Sequence, residues 1–218
     1  MEIQDFAMIL LSLALSGISF ALMYKDMKKH NEDFKLTKLI IAYSVVSSII
    51  VAIIATTLQL KFVDNSFILN LKRVVILAIL WAVAYIDFNS YRIPNEFIIY
   101  GLICRAIIVP FELLFVEGKV LGLILADIIA AVALFAATAL CKLLIKNSIG
   151  AGDIKLFIVM GLMLGMDGIW SSIFMSLIVS FVIALYLLIS KKKNRKDSIP
   201  FGPAIAIGTF LSVFLGGM

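Results

Sequence analysis

The chain has 218 residues, 63% of them hydrophobic and 15% charged, with a mean hydropathy of +1.12, whereas a soluble domain is roughly half apolar and a quarter charged. That excess excludes an ordinary water-soluble domain and calls for lipid as the solvent. The net charge of +5 does not point to nucleic acid, because the basic residues fall in short runs between apolar segments and form no aromatic-interleaved surface.

A bilayer core takes about 20 apolar residues per helix. Apolar runs read against polar punctuation predict an all-α polytopic membrane protein with about eight transmembrane helices, at roughly 6–24, 38–59, 72–88, 96–116, 120–145, 154–166, 168–190 and 200–217. One membrane-embedded domain over 1–218 is expected. The first run carries Glu2 and Asp5 where a secretory signal has Lys or Arg, and no small-x-small cleavage site follows it, so it is expected to remain as a helix. The third run reaches spanning length if Lys72 and Arg73 snorkel to the interface.

Orientation follows from the basic clusters Lys25, Lys28, Lys29, Lys35 and Lys38 after the first span, and Lys191, Lys192, Lys193, Arg195 and Lys196 after the seventh. Positive residues stay on the cytoplasmic side. An odd number of spans precedes each cluster, so one threading satisfies both, with the N-terminus outside. The breaks that hold Asp87 and Asp153 then share the cytoplasmic face. Cys104 and Cys141 stand in separate apolar runs, far from any CxxC or Cys/His spacing, and read as buried thiols; no metal or cofactor is expected.

Ionisable residues in or beside membrane spans are costly, so each is a functional candidate until a cheaper reading is found. Arg105, Glu112 and Asp127 read as an intramembrane polar contact that serves packing. Asp87 closes the run VVILAILWAVAYID and precedes FNSYRIPNEF, where Pro94 ends the helix and Asn95 suits a turn. Alone it could be a solvated interfacial carboxylate. Asp153 follows Gly150, Ala151 and Gly152 at the start of the next apolar run, where the helix dipole favours negative charge. Alone it could be an N-cap on a glycine-rich turn. Together the two are the pair at matching depth. Peptide hydrolysis by two acids needs such a pair, one to take a proton from water and a protonated partner to polarise the scissile carbonyl.

The segment GAGD followed by IKLF resembles the GxGD motif of the type IV prepilin peptidases, a group of intramembrane aspartic proteases. Asp87 followed by Ile93, Pro94 and Asn95 is similar to that family's first catalytic segment. IPFGPAIAIG, from Ile199 to Gly208, is similar to its C-terminal signature. The resemblance implies removal of the basic leader from prepilins or pseudopilins at the cytoplasmic face of the membrane, with lipid as the other partner. It places Asp87 and Asp153 in the catalytic roles, Gly150 and Gly152 in the catalytic loop, and Lys155 at the basic position after it. Pro200, Gly202 and Pro203 are expected to shape the loop beside the site. Glu96, Asp197 or lipid head groups are candidates to receive the leader's charge, and the loops at Ile93–Asn95 and Ser148–Gly152 to meet the substrate.

The chain departs from the longer members of that family. The first cytoplasmic loop, from about Lys25 to Thr37, has no cysteine and no room for a zinc-binding insertion, so no methyltransferase activity is expected. Two other readings compete. Signal peptide peptidase and presenilin also use a GxGD loop, but there a tyrosine directly precedes the first aspartate, and here Ile86 does. A non-enzymatic membrane protein is the reading from another class: a transporter would place polar groups near mid-bilayer at broken helices, whereas the two aspartates here stand at one interface, an asymmetry that disfavours transport and leaves a secretion-system scaffold as an alternative.

Overall fold

The computed structural model describes residues 3–32, 34–61, 67–116, 118–144, 149–191 and 198–216. Seven helices lie within these residues: α1 (Ile3–His30), α2 (Lys38–Lys61), α3 (Phe67–Ser90), α4 (Asn95–Phe115), α5 (Val120–Leu144), α6 (Ala151–Ile189) and α7 (Gly202–Gly216). The first six are long and apolar enough to cross a membrane; α7, at 15 residues, is shorter. Among the described residues all regular structure is helical, and the protein is polytopic. The basic run Lys192, Lys193, Arg195 and Lys196, together with Asp197 and Ser148, lies outside the described residues.

Two expected spans, 154–166 and 168–190, are joined in the single 39-residue α6, whose backbone leaves helical geometry at Gly165 (φ 67°, ψ −176°). Only glycine adopts that conformation readily. The chain folds back at this point. Ahead of the break, the Phe157 ring meets Phe201 at the start of α7, with centroids 6.2 Å apart. Beyond it, Gly208 abuts the Ser176 backbone, and the Ser212 hydroxyl lies 2.7 Å from that of Ser171. Beyond the break, partner numbers thus fall as α7 numbers rise. A straight helix would carry Ser176 about 28 Å past Phe157, at about 1.5 Å per residue, while Gly208 is only seven positions from Phe201.

The third helix is central. Most of its spanning window is buried, 72% against 33% or less in the other five, and Val74 to Leu80 are covered without a break. A helix apolar on every side suits a position enclosed by others. Its flank is tied by the Tyr43 hydroxyl of α2, which donates to the Trp81 carbonyl at 2.8 Å. Small residues bring outer helices close: a side chain at Gly161 would stand 2.8 Å from the Ala131 backbone of α5, the short-range packing that membrane helices rely on.

Contacts sort the helix ends into two groups. At one end Arg92 meets Asp26, Gly152 meets Ile93, and Gly202 meets Asp87. At the other, Asn70 bonds Gln59, and Lys72 bonds Glu112 and Asp127.

That second group corrects the expectation for Lys72. Because α3 begins at Phe67, Lys72 lies more than a turn inside it and is buried, not snorkelling. Its ammonium is 2.5 Å from Asp127 Oδ2 and 3.1 Å from Glu112 Oε1. Arg105 reaches the same two acids, each at 2.6 Å. Two cations and two anions cancel, which is how buried charge is tolerated in a span. The expected contact of Arg105, Glu112 and Asp127 therefore has Lys72 as a fourth member. Asp127 also faces the break in α6: its Oδ1 lies 2.7 Å from where a β-carbon on Gly165 would stand.

Candidate active site

Asp87 sits one turn from the C-terminus of α3 and is buried. Its Oδ2 accepts a 2.6 Å hydrogen bond from the Gly202 amide, and the Phe201 amide is a second backbone donor to the same carboxylate. These amides are free because they open α7, where the first N–H groups have no partner within the helix. Pro203, in the same first turn, has no N–H to satisfy. The negative group thus stands at the positive end of the α7 dipole. Gly202 is dictated by space: a β-carbon there would lie 2.8 Å from Asp87 Cβ and 2.9 Å from its Oδ2.

Asp153 stands in the first turn of α6, at a helix start as expected, and is not the N-cap that the alternative reading would make it. Gly150 is the N-cap, and Asp153, three residues on, accepts the Gly150 amide on Oδ2 at 3.2 Å. A carboxylate at this third position commonly reaches back to the cap amide. The Asp153 and Asp87 carboxylates are close enough to interact electrostatically.

The connection between α3 and α4 joins these two halves. Tyr91 takes a positive φ of 51° and its amide closes on the Asp87 carbonyl at 2.9 Å, the turn that commonly ends a helix. Ile93 then lies flat against the glycine loop: a β-carbon on Gly152 would be 2.9 Å from Ile93 Cβ and 3.3 Å from its carbonyl oxygen. Pro94, extended at φ −67° and ψ 142°, is the N-cap of α4. Asn95 Oδ1 accepts from the Lys155 ammonium at 2.9 Å. Lys155 therefore ties the loop to α4, and among the described residues it bonds neither aspartate.

Of the expected site residues, Asp87, Ile93, Asn95, Gly150, Gly152, Asp153, Lys155 and Gly202 come together at one end of the bundle, while Pro94 is the N-cap of α4 and Pro203 lies in the first turn of α7. Pro200 is half-buried in the lead-in to α7. Sequence reasoning missed Asp26. It is buried on α1 and accepts from both terminal guanidinium nitrogens of Arg92 in the α3–α4 connection, at 3.1 and 2.5 Å. The available signal was an acidic residue alone inside a lysine cluster, at Lys25, Asp26, Lys28 and Lys29.

Fold and site define a polytopic helical membrane protein with a carboxylate pair assembled from three distant segments at one end of its bundle. The sequence matches the model of the type IV leader peptidase family over residues 74–189, and the chain belongs to that family. It is 28% identical over 146 residues to a prepilin leader peptidase/N-methyltransferase of Bacillus subtilis, covering 66% of this chain and 55% of that one. It is 30% identical over 138 residues to the protein of that name from Legionella pneumophila, covering 63% and 47%. A third, from Xanthomonas campestris, is 37% identical over 71 residues, 33% of this chain and 25% of the relative. The chain spans about half the length of the first of these relatives. No solved structure matches it.

Proposed function

We propose that the chain is a prepilin leader peptidase, an aspartic endopeptidase that cuts the basic leader from type IV prepilins or pseudopilins with Asp87 and Asp153. The observation that carries this reading is the convergence of Asp87, the Gly150–Asp153 loop and the Phe201–Gly202 turn, which brings the two carboxylates near enough for each to feel the other's charge. One carboxylate takes a proton from water as its oxygen attacks the scissile carbonyl; the other, protonated, donates to that carbonyl oxygen. Collapse of the tetrahedral intermediate breaks the C–N bond, and the departing amine takes up a proton. The pair titrates as a unit, so neither member is assigned the base alone. The backbone amides of Phe201 and Gly202 hold the Asp87 carboxylate in place and leave water activation to the pair.

The same end of the bundle holds the basic C-terminal turn of α1, with Lys28 and Lys29, and Lys29 lies 3.9 Å from Glu96 beside the site. The positive-inside rule puts that end at the cytoplasmic face of the inner membrane, and the whole chain then acts as one peptidase unit. A prepilin's basic leader and following apolar helix meet at that level, so its apolar part lies among the helices while the scissile bond reaches the pair. Methyl transfer, present in the relatives' names, is not carried over: seven residues, 31–37, separate α1 from α2, and none is cysteine.

The test is co-expression with a prepilin, scoring leader removal by gel shift for the parent and for Asp87→Asn and Asp153→Asn. Cleavage by the parent and by neither variant is expected. Full cleavage by either variant would overturn the assignment.

A further inference from the structure

We infer that Asp26 and Arg92 are positioning residues of the site: their ion pair pins the α3–α4 connection to α1 and so holds the Gly150–Asp153 loop in register with Asp87. The inference rests on the proposed peptidase reading for its kinetic test, and on geometry alone for its physical one.

Neighbouring residues of the connection face opposite ways. Arg92 turns to α1, where its guanidinium forks onto both oxygens of Asp26, while Ile93 and Asn95 turn to α6, one against Gly152 and the other onto Lys155. The connection is thus a wedge between α1 and the loop that carries Asp153. Its start is fixed by Asp87 itself, through the Tyr91 amide. Five residues therefore run from one acid to the contacts that seat the other, and Arg92, beside the longer 3.9 Å contact of the Ser90 hydroxyl with Met27 Sδ, is the charged member that fastens them to a third helix.

The Asp26 side chain is 2% exposed and that of Arg92 29%, so the pair is largely out of water. There a forked arginine–carboxylate bond fixes angle as well as distance, and removing one partner leaves the other charge uncompensated. His30 lies on the same carboxylate, 3.6 Å from Asp26 Oδ1, and its ring nitrogen is 3.0 Å from the Asp26 carbonyl. The neighbouring Lys29 of α1 lies 3.9 Å from Glu96 of α4. Neither Asp26 nor Arg92 bonds Asp87 or Asp153 among the described residues, so their action runs through the wedge.

The experiment compares the parent chain with Arg92→Gln, Asp26→Asn, Arg92→Lys and the double variant Asp26→Asn/Arg92→Gln, in detergent-solubilised full-length protein. Kinetics with a prepilin substrate are read beside pulsed electron resonance distances between spin labels at positions 91 and 151, both exposed, with Cys104 and Cys141 changed to serine. Expected are a tenfold or larger fall in kcat for Arg92→Gln and for Asp26→Asn with KM within twofold, a double variant no worse than either of these, a smaller fall in Arg92→Lys, and a broadened label distance wherever the fork is lost. An unchanged kcat, or a fallen kcat with an unchanged distance distribution, overturns the inference. Should the parent cleave no prepilin, the peptidase reading falls and the label distances alone decide the wedge. Should Asp26→Asn fail to accumulate, Arg92→Lys, which keeps the charge and loses the fork, decides in its place.

Discussion

The Gly202 amide donates a 2.6 Å hydrogen bond to the Asp87 carboxylate across 115 positions of chain. One end of that bond opens a helix and the other closes one, so the start of α7 is seated on the end of α3. The contact makes Gly202 part of the site's architecture despite its having no side chain.

Gly202→Ala tests that seating. A methyl group would stand within 3 Å of the Asp87 side chain, and because the opposing atoms belong to a buried residue at a helix end, the carboxylate or the α7 start must move. Cleavage of a prepilin is expected to fall at least tenfold while the protein still accumulates in the membrane. Parent-level turnover would show that Asp87 tolerates displacement.

Neutralising one acid at a time addresses the pair. Asp87→Asn and Asp153→Asn keep size and lose the ability to exchange a proton, a contribution of about 100- to 10,000-fold in general acid–base catalysis. Each is expected to lower kcat by at least about 100-fold with substrate binding retained, measured by leader release and by co-purification of uncleaved prepilin.

Lys155→Met should have a modest effect. Its ammonium bonds Asn95 at an exposed position, where such a bond contributes about 1 kcal/mol, and neither aspartate depends on it directly. A fall of a few-fold in kcat is expected, with Asn95→Ala matching it and the double variant adding little. A loss as large as that of Asp153→Asn would mean that Lys155 acts on the reacting groups.

The ion cluster at the far end is a matter of stability. Asp127→Ala leaves Lys72 and Arg105 sharing only Glu112, and stranding a buried charge costs about 3–5 kcal/mol. A lowered unfolding midpoint in detergent is expected for Asp127→Ala. Gly165→Ala, which combines an unfavourable φ with a clash against Asp127, should fail to accumulate. A Gly165→Ala protein with parental stability would contradict the fold-back at this residue.

Much of the site was legible because its parts are local. Asp87 with Ile93–Asn95, Gly150–Asp153, and Pro200–Pro203 are short segments whose prolines and glycines mark helix ends, and the parity of the spans put those ends on one side. The break in α6 was legible too, as polar punctuation near residue 167, though not as a glycine inside one continuous helix. Asp26 and Lys72 were not legible. Asp26 sits among lysines and reads as surface, and Lys72 sits at an apparent span edge; in both cases the partner is remote in sequence, Arg92 by 66 positions and Asp127 by 55.

Hydropathy and punctuation determined that this chain is a bundle of membrane helices with acids at certain ends, since the cost of apolar surface in water and of unsatisfied backbone in lipid depends on composition along each segment. Which side chains meet depends on how helices rotate and pack against one another, and no local pattern records that. Tertiary structure alone therefore decided that Gly202 seats Asp87, that Asn95 holds Lys155, that Asp26 anchors Arg92, and that Lys72 is buried among acids.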